Sequence, residues 1–172
     1  MQHIWTPDTL ITRPFQMTDA DALVAGLNNL NVTRWLGTAP YPYRKHNAVD
    51  FLQSTPKSQA ITLAGDDQVI GAIYCGDDLG YWLAEPYWGQ GIMGHVVRRT
   101  VVQFFVEHPT AVLKSAYAVG NVASARIQAT CGFRETGRAL DPCAATGEPM
   151  LCVHTEATRG DWSAAHPQWG AA

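Results

Sequence analysis

Three glycines, Gly89, Gly91 and Gly94, are the residues of this 172-residue chain whose spacing most directly suggests chemistry. They follow an apolar run, Leu79 to Ala84, that predicts a buried strand. From Ile92 onward the apolar positions recur near helical spacing, which predicts a helix. A glycine loop between a strand and a helix directs backbone N–H groups and a helix N-terminus at one point. That point suits a phosphate or pyrophosphate group.

Two known phosphate-binding motifs, the P-loop and the dinucleotide-binding glycine motif, differ from this pattern. The chain has no G-x-x-x-x-G-K-[ST] sequence, which argues against a P-loop. The glycine spacing imitates G-x-G-x-x-G, but no clear βαβ series surrounds it, so a dinucleotide-dependent oxidoreductase is the weakest reading. The loop opens with Tyr87-Trp88-Gly89-Gln90-Gly91 and resembles the acyl-CoA pyrophosphate loop of the GNAT N-acetyltransferases. It is most similar to the branch that includes the ribosomal-protein N-terminal acetyltransferases.

Three further stretches resemble the same branch, in the same order along the chain. They are the opening Leu10–Leu23, the segment from Asn121 to Phe133, and Thr158–Trp162. The resemblance therefore covers roughly 10–162 and implies an α/β (α+β) fold with a mixed, mainly antiparallel sheet and helices on both faces. In that fold the strands near 79–83 and 112–119 splay apart, and CoA enters the opening.

The resemblance also implies residues that hold acetyl-CoA, the expected cosubstrate. Backbone groups of the loop would surround the pyrophosphate, and Arg98 or Arg99 would reach the 3′-phosphate. Asn121 would bind the pantetheine arm or an ordered water. The implied cofactor-binding residues are Leu83, Trp88, Gln90, Gly91, Ile92, Met93, Gly94, Arg99, Asn121 and Ser124.

Acetyl transfer to an amine needs an oxyanion donor, a proton for the leaving thiolate and a base for the amine. The resemblance assigns the oxyanion to the backbone N–H of Leu83 and the thiolate proton to Ser124. Many relatives have a general-acid tyrosine where this chain has Gln128. Glu85 is the predicted base, and Asp77, Asp78 and His95 are left open as alternatives. A water chain or an amine that is already neutral would also suffice.

An aromatic segment, Asn31 to Pro42, precedes the helix predicted at 45–54. In the resembled family the equivalent segment walls the acceptor pocket, which predicts Trp35, Tyr41, Tyr43 and Asp77 as substrate-binding residues. Aromatic residues also cover cores, so a purely structural role is the alternative. The expected acceptor is a primary amine, on a protein N-terminus or a small molecule. A non-catalytic CoA-binding module of the same fold is the rival function.

Composition limits the other classes of protein. The net charge of −3 argues against a general binder of nucleic acid or membrane surfaces, and no apolar run approaches the ~20 residues that span a bilayer. Four cysteines without a C-x-x-C pair, and no evident signal peptide, predict a cytoplasmic protein. No histidine spacing predicts a metal site. We expect one domain over 1–172, with a core at 10–162 and a loose tail at 163–172, and a homodimer remains open.

The remaining elements follow from periodicity and turn residues. A Thr18-x-x-Asp21 capping box is expected to start a helix whose apolar face extends to Leu30. The links between the strands at 59–64, 69–75 and 79–84 are too short for crossovers, which predicts an antiparallel meander. Further strands are predicted at 10–15, 112–119, 133–139 and 150–157, and further helices at 92–107 and 121–132.

Overall fold

The structure, a computed structural model, describes residues 5–54 and 57–167. Seven strands form one sheet in the order β1-β2-β3-β4-β5-β7-β6. Their bounds are β1 Leu10–Pro14, β2 Gln59–Leu63, β3 Asp66–Cys75, β4 Asp78–Leu83, β5 Val112–Ala118, β6 Arg134–Asp141 and β7 Met150–Thr158. All neighbouring strands are antiparallel except β4 and β5, which are parallel. The predicted meander of β2, β3 and β4 is therefore confirmed.

Helices cover both faces of this sheet. They are α1 Ala20–Leu27, α2 Leu30–Thr33, α3 Lys45–Gln53, α4 Ile92–Glu107, α5 Val122–Thr130 and α6 Arg159–Ala165. Because side chains alternate along a strand, Leu79 and Leu83 of β4 pack with the core under α4, whereas Trp82 packs with α1 and α3. The predicted mixed α/β architecture is confirmed.

The sheet opens between β4 and β5. The two strands pair only at Asp78 with Lys114 and at Leu79 with Ser115. Beyond these pairs Gly80–Leu83 and 116–118 separate, and we call this opening the gap. Both strands run toward the open end, so the N-termini of α4 and α5 follow directly after it. The splayed opening expected from the resemblance is present.

The start of the first helix differs from the prediction. Thr18 and Asp21 form no capping box; instead the carboxylate of Asp19 accepts the backbone N–H of Gln16 at 2.7 Å and ion-pairs with Arg13 at 2.9 Å. Burial opposes ionisation, but the guanidinium still holds the pKa of Asp19 below its usual value. Leu30 begins a separate short helix and is 41% exposed, so it does not extend the apolar face of α1.

The C-terminal segment is ordered further than expected. The helix α6 continues through Ala165, and the buried ring of His166 stacks on Trp162 with ring centroids 3.9 Å apart. Apolar and aromatic packing thus extends past 162, and the expectation of a loose tail is wrong for 163–166. The end of the predicted tail, 168–172, lies outside the described residues.

Candidate active site

The loop before α4 presents backbone donors at the open end of the gap. Gly91 is the N-cap of α4 with φ +80°, a conformation that favours glycine, and no side chain among the described residues caps this end. The first intrahelical bond runs from the N–H of His95 to the carbonyl of Gly91 at 3.1 Å. The N–H groups of Ile92, Met93 and Gly94 therefore lack helical partners and can receive an anion.

The side chains of this loop hold its shape. Ile92 and Met93 are buried in the core, so only their backbone atoms can meet a ligand. The Trp88 indole donates to the carbonyl of Leu83 at 2.7 Å, which ties the loop back to β4. The amide of Gln90 donates to the carbonyl of Pro86 at 3.0 Å. Trp88 and Gln90 thus position the loop, in agreement with backbone recognition of a pyrophosphate.

A tryptophan that sequence reasoning missed completes the loop. Trp5 donates its indole N–H to the carbonyl of Gln90 at 2.9 Å, and its ring lies 5.9 Å from that of His95. A Cβ added at Gly91 would lie 3.7 Å from the Trp5 ring. Nothing in the spacing of the N-terminal residues indicates this long-range contact.

The backbone of β4 offers a second donor, the N–H of Leu83. The N–H of Ala84 donates to the carbonyl of Ile70 at 2.8 Å, so Ala84 is hydrogen-bonded to β3. Antiparallel pairs alternate, and the N–H and carbonyl of Leu83 must therefore point away from β3 and toward the gap. The carbonyl is taken by Trp88. The N–H has the orientation that the predicted oxyanion role requires.

Ser124 and Tyr81 meet on the α5 side of the gap. The side chain of Asn121 caps α5 by accepting the N–H of Ser124 at 3.1 Å. The hydroxyl of Ser124 is then free to pair with the Tyr81 hydroxyl at 2.8 Å. Burial raises the pKa of Tyr81 to about 12, so it stays protonated near neutral pH. Sequence reasoning missed Tyr81, although its alternation with Leu79 and Leu83 was a readable signal.

Gln128 closes the other end of the gap. Its amide nitrogen donates to Ser115 Oγ at 2.9 Å and to the carbonyl of Ala116 at 3.2 Å. Its amide oxygen accepts from Thr155 at 2.6 Å, and the Ser115 hydroxyl donates to the carbonyl of Leu79 at 2.8 Å. Gln128 thus satisfies the backbone where β4 leaves β5. It is a buried structural residue whose side chain carries no hydroxyl.

Of the four predicted bases, Glu85 alone lies at the open end of β4. Its two carboxylate oxygens accept the side-chain amides of Asn29 and Asn31 at 2.5 and 3.0 Å. Asp77 and Asp78 lie at the closed end, roughly 16 Å along the strand from Leu83. The structure therefore does not bring Asp77 to the gap as a substrate-binding residue or as a base.

His95 and the two arginines lie on α4. Burial, together with Arg98 and Arg99, lowers the pKa of His95, whose ring faces Trp5 rather than the gap. A Cβ at Gly94 would lie 3.5 Å from the Arg98 guanidinium and 4.0 Å from Ile127 of α5. Arg99 instead lines a separate cleft of about 930 Å³ that also contains Cys75 and Asp77. These positions favour Arg98, and not Arg99, as the cation beside the cofactor.

The aromatic segment divides between two roles. Tyr43 is buried in the core under α1 and α3, where burial followed by the charge of Asp50 raises its pKa. Its predicted place in a pocket wall is therefore wrong. Trp35 lies at the end of β5, 3.9 Å from a Cβ added at Gly120, and Tyr41 is 44% exposed. Trp35 and Tyr41 remain candidates for the acceptor side.

In the described ranges 5–54 and 57–167, no three His, Cys, Asp or Glu side chains cluster so that they could hold a metal ion. No helix in that part of the chain is long and apolar enough to cross a bilayer.

Known proteins share this fold and part of the sequence. The chain matches the acetyltransferase (GNAT) domain family over residues 9–134. It is 28% identical over 85 residues to YdaF of Bacillus subtilis (strain 168), a protein whose name gives it ribosomal N-acetyltransferase activity provisionally. That alignment covers 49% of this chain and 46% of YdaF, so the match spans less than half of that relative's length.

Solved structures agree over most of the chain. The ribosomal-protein-S5-alanine acetyltransferase of Vibrio fischeri superimposes with a TM-score of 0.69 at 19% identity, covering 90% of this chain and 95% of that one. The spermidine N-acetyltransferase of Vibrio cholerae, solved with CoA and spermine, gives 0.73 at 15% identity, covering 90% and 98%. At these identities the likeness establishes the fold. With the family match over most of its length, the chain belongs to the GNAT family of acetyltransferases.

Proposed function

We propose that the protein transfers an acetyl group directly from acetyl-CoA to a primary amine. The observation that carries the proposal is the convergence of three groups at the gap: the Leu83 N–H, the Ser124–Tyr81 hydroxyl pair and the free N–H groups of α4. A backbone donor aimed into a gap suits a developing oxyanion. A hydroxyl pair beside it suits a leaving thiolate.

Each group has one task in this reaction. The N–H groups of Ile92, Met93 and Gly94 hold the pyrophosphate, with Arg98 as the neighbouring cation. The Leu83 N–H stabilises the negative charge that forms on the thioester oxygen. As the amine nitrogen bonds to the carbonyl carbon and the C–S bond breaks, Ser124 gives its proton to the sulfur. Tyr81 passes its proton to Ser124 through their hydrogen bond and takes one up from solvent, while the amine releases one proton to solvent.

The acceptor amine enters from the face of the sheet opposite α4 and α5, beside Trp35, Tyr41 and Glu85. The named activities of the two solved relatives, on ribosomal-protein alanine and on spermidine, support a primary amine and leave both a protein N-terminus and a polyamine open. All four cysteines carry free thiols, which fits a reducing compartment and a cytoplasmic location.

One observation favours a second candidate, a non-catalytic CoA-binding module. The position at which many relatives carry a catalytic tyrosine holds Gln128, which is fully engaged in structural hydrogen bonds. The Ser124–Tyr81 pair supplies a hydroxyl from other positions, so we favour catalysis.

A thiol-release assay separates the two functions. Acetyl-CoA is incubated with the protein and one of three probes, an alanine-initiated peptide, spermidine or ribostamycin, and the acetylated amine is quantified by mass spectrometry. We expect one thiol released per amine acetylated with at least one probe. CoA binding in calorimetry without release for any amine would establish the non-catalytic module, and no binding at all would overturn both functions.

A further inference from the structure

The gap contains a donor for the thiolate but no group that is well placed to take the proton of the amine. Both oxygens of Glu85 already accept side-chain amides, and Asp77 and Asp78 lie at the closed end of β4. His95 faces Trp5 on the outer side of α4. The base must therefore be sought on the acceptor side, across the sheet from α5.

Strand β7 brings a histidine to that side. It pairs antiparallel with β5 so that His154 lies opposite Ala116 and Cys152 lies opposite Ala118. Ala116 is the first residue of β5 beyond its pairing with β4. The adjacent Thr155 points to the α5 face, where it donates to Gln128, so His154 points to the acceptor face. The methyl side chains of the two alanines leave space beside the imidazole.

The imidazole is fixed by a carboxylate on β6. Nε2 of His154 lies 3.0 and 3.2 Å from the two oxygens of Asp141. An ionised carboxylate only accepts hydrogen bonds, so Nε2 carries the proton and Nδ1 keeps a lone pair. Nδ1 has no hydrogen-bond partner within 5–54 and 57–167, and 42% of the His154 side chain is exposed. A carboxylate that orients an imidazole and stabilises its cation is the arrangement a general base needs.

The neighbouring groups on this face are less suited than the imidazole to act as a general base. Cys152 shares the face, but burial followed by the nearby Asp141 raises its pKa to about 11, so it remains a neutral thiol. The other charged residues that β5 and β7 place on this face are Lys114 and Glu156, which lie opposite each other further from the open end. Asp78 of β4 and Arg134 of β6 flank this pair. Among the described residues of β5 and β7, His154 is the one base on this face whose ring keeps an unengaged nitrogen.

The aromatic segment closes over the same face. The N–H of Ala144, in the β6–β7 connection, donates to the carbonyl of Gly37 at 3.0 Å. The thiol of Cys143 lies 3.7 Å from the carbonyl of Arg34. Trp35, between these contacts, reaches toward the end of β5. His154 therefore lies on the sheet face over which these two connections meet, one strand removed from the gap.

We propose that His154, oriented by Asp141, is the general base for the acceptor amine, a role that rests on the acetyltransferase function proposed above. As the nitrogen–carbon bond forms and the C–S bond breaks, the amine proton passes through water to Nδ1 of His154, which lies one strand away from the gap. The thiolate takes its proton from Ser124. The imidazolium then returns its proton to solvent, and the products are the amide and the CoA thiol.

The test compares three variants with an amine that the wild-type protein acetylates. His154→Gln keeps an N–H for Asp141 but cannot accept a proton, and His154→Ala opens space for added imidazole. We expect kcat/KM for the amine to fall 10²- to 10³-fold in both, with unchanged affinity for acetyl-CoA. Imidazole should partly restore transfer only in His154→Ala. Asp141→Asn should lose roughly tenfold, because the imidazole loses its orienting anion.

A matched control removes an ion pair of the same strand on the opposite face. Glu135→Gln breaks the exposed contact to Arg138 at 2.8 Å and should leave transfer unchanged. If the wild-type protein acetylates the amine and His154→Gln does so at an undiminished rate, the role of His154 is overturned and the acetyltransferase function stands. If amine transfer falls together with the melting temperature and added imidazole does not restore it, the proposed base role is overturned. His154 and Asp141 would then only hold β6 and β7 together. A wild-type protein that acetylates no amine would overturn the function and this role together.

Discussion

The two faces of the gap are built in different ways. The proposed cofactor face uses backbone groups from two continuous stretches, 83–94 and 121–124, with Trp5 and Tyr81 as supports. The proposed acceptor face gathers single side chains from distant parts of the chain, which are Trp35, Tyr41, Glu85, Asp141 and His154. The backbone of the cofactor face depends on glycine and helix ends, whereas the acceptor face depends on side-chain identity. This difference lets one cofactor site serve many acceptors.

A substitution at the closed end of the gap should give the largest effect, a loss of stability. Gln128→Ala leaves Ser115, Thr155 and the carbonyl of Ala116 without their partner and creates a buried cavity. We expect the free energy of unfolding to fall by roughly 2–4 kcal/mol. Chemical denaturation measures this, with Gln103→Ala, an exposed amide on α4, as the matched control. Equal denaturation midpoints for the Gln128 variant and the control would contradict the structural role.

The hydroxyl pair should affect turnover without affecting binding. Ser124→Ala removes the proposed proton donor, and we expect turnover to fall roughly ten- to a hundredfold with acetyl-CoA affinity nearly unchanged. Because Asn121 caps α5 and the Ser124 hydroxyl does not, the melting temperature should stay close to that of the wild type. Tyr81→Phe should give a smaller loss in the same direction. Full turnover in Ser124→Ala would remove the serine from the mechanism.

The glycine loop should affect binding without affecting the fold. Gly91→Glu places a charged side chain at the free N–H groups of α4, and we expect CoA affinity to fall at least tenfold in calorimetry. Gly65→Glu is the matched control, because Gly65 has a similar φ of +83° at a turn away from the loop. Both variants bear the same backbone strain, so equal CoA affinities would show that the pyrophosphate lies elsewhere.

The two arginines of α4 should give the smallest effect. Arg98 lies beside Gly94 and α5, whereas Arg99 lines the separate cleft. Arg98→Ala should weaken CoA binding about fivefold, which is about 1 kcal/mol for one exposed phosphate contact. Arg99→Ala should leave affinity unchanged. If calorimetry shows a larger loss of CoA affinity for Arg99→Ala than for Arg98→Ala, Arg99 contacts the 3′-phosphate.

The same contrast explains what could be predicted from the sequence. Strand bounds, the glycine loop and the Asn121 cap follow from local patterns, and the structure places them within a few residues of the prediction. The contacts of Trp5, Tyr81 and His154 depend on which segments the sheet brings together, which no local pattern contains. The prediction that Tyr43 lines the acceptor pocket is wrong because an aromatic residue in a loop gives the same sequence pattern whether it covers a core or lines a pocket.

Amide hydrogen exchange at Leu83 tests the central claim, that acetyl-CoA occupies the gap beside β4. The Leu83 N–H points into the gap, whereas the neighbouring Trp82 belongs to a hydrogen-bonded pair with Ala72 of β3. In ¹⁵N-resolved NMR we expect Leu83 to exchange faster than Trp82 in the free protein and to become protected when acetyl-CoA is added. Trp82 should be protected in both states. A Leu83 amide whose exchange does not respond to saturating acetyl-CoA would contradict the account.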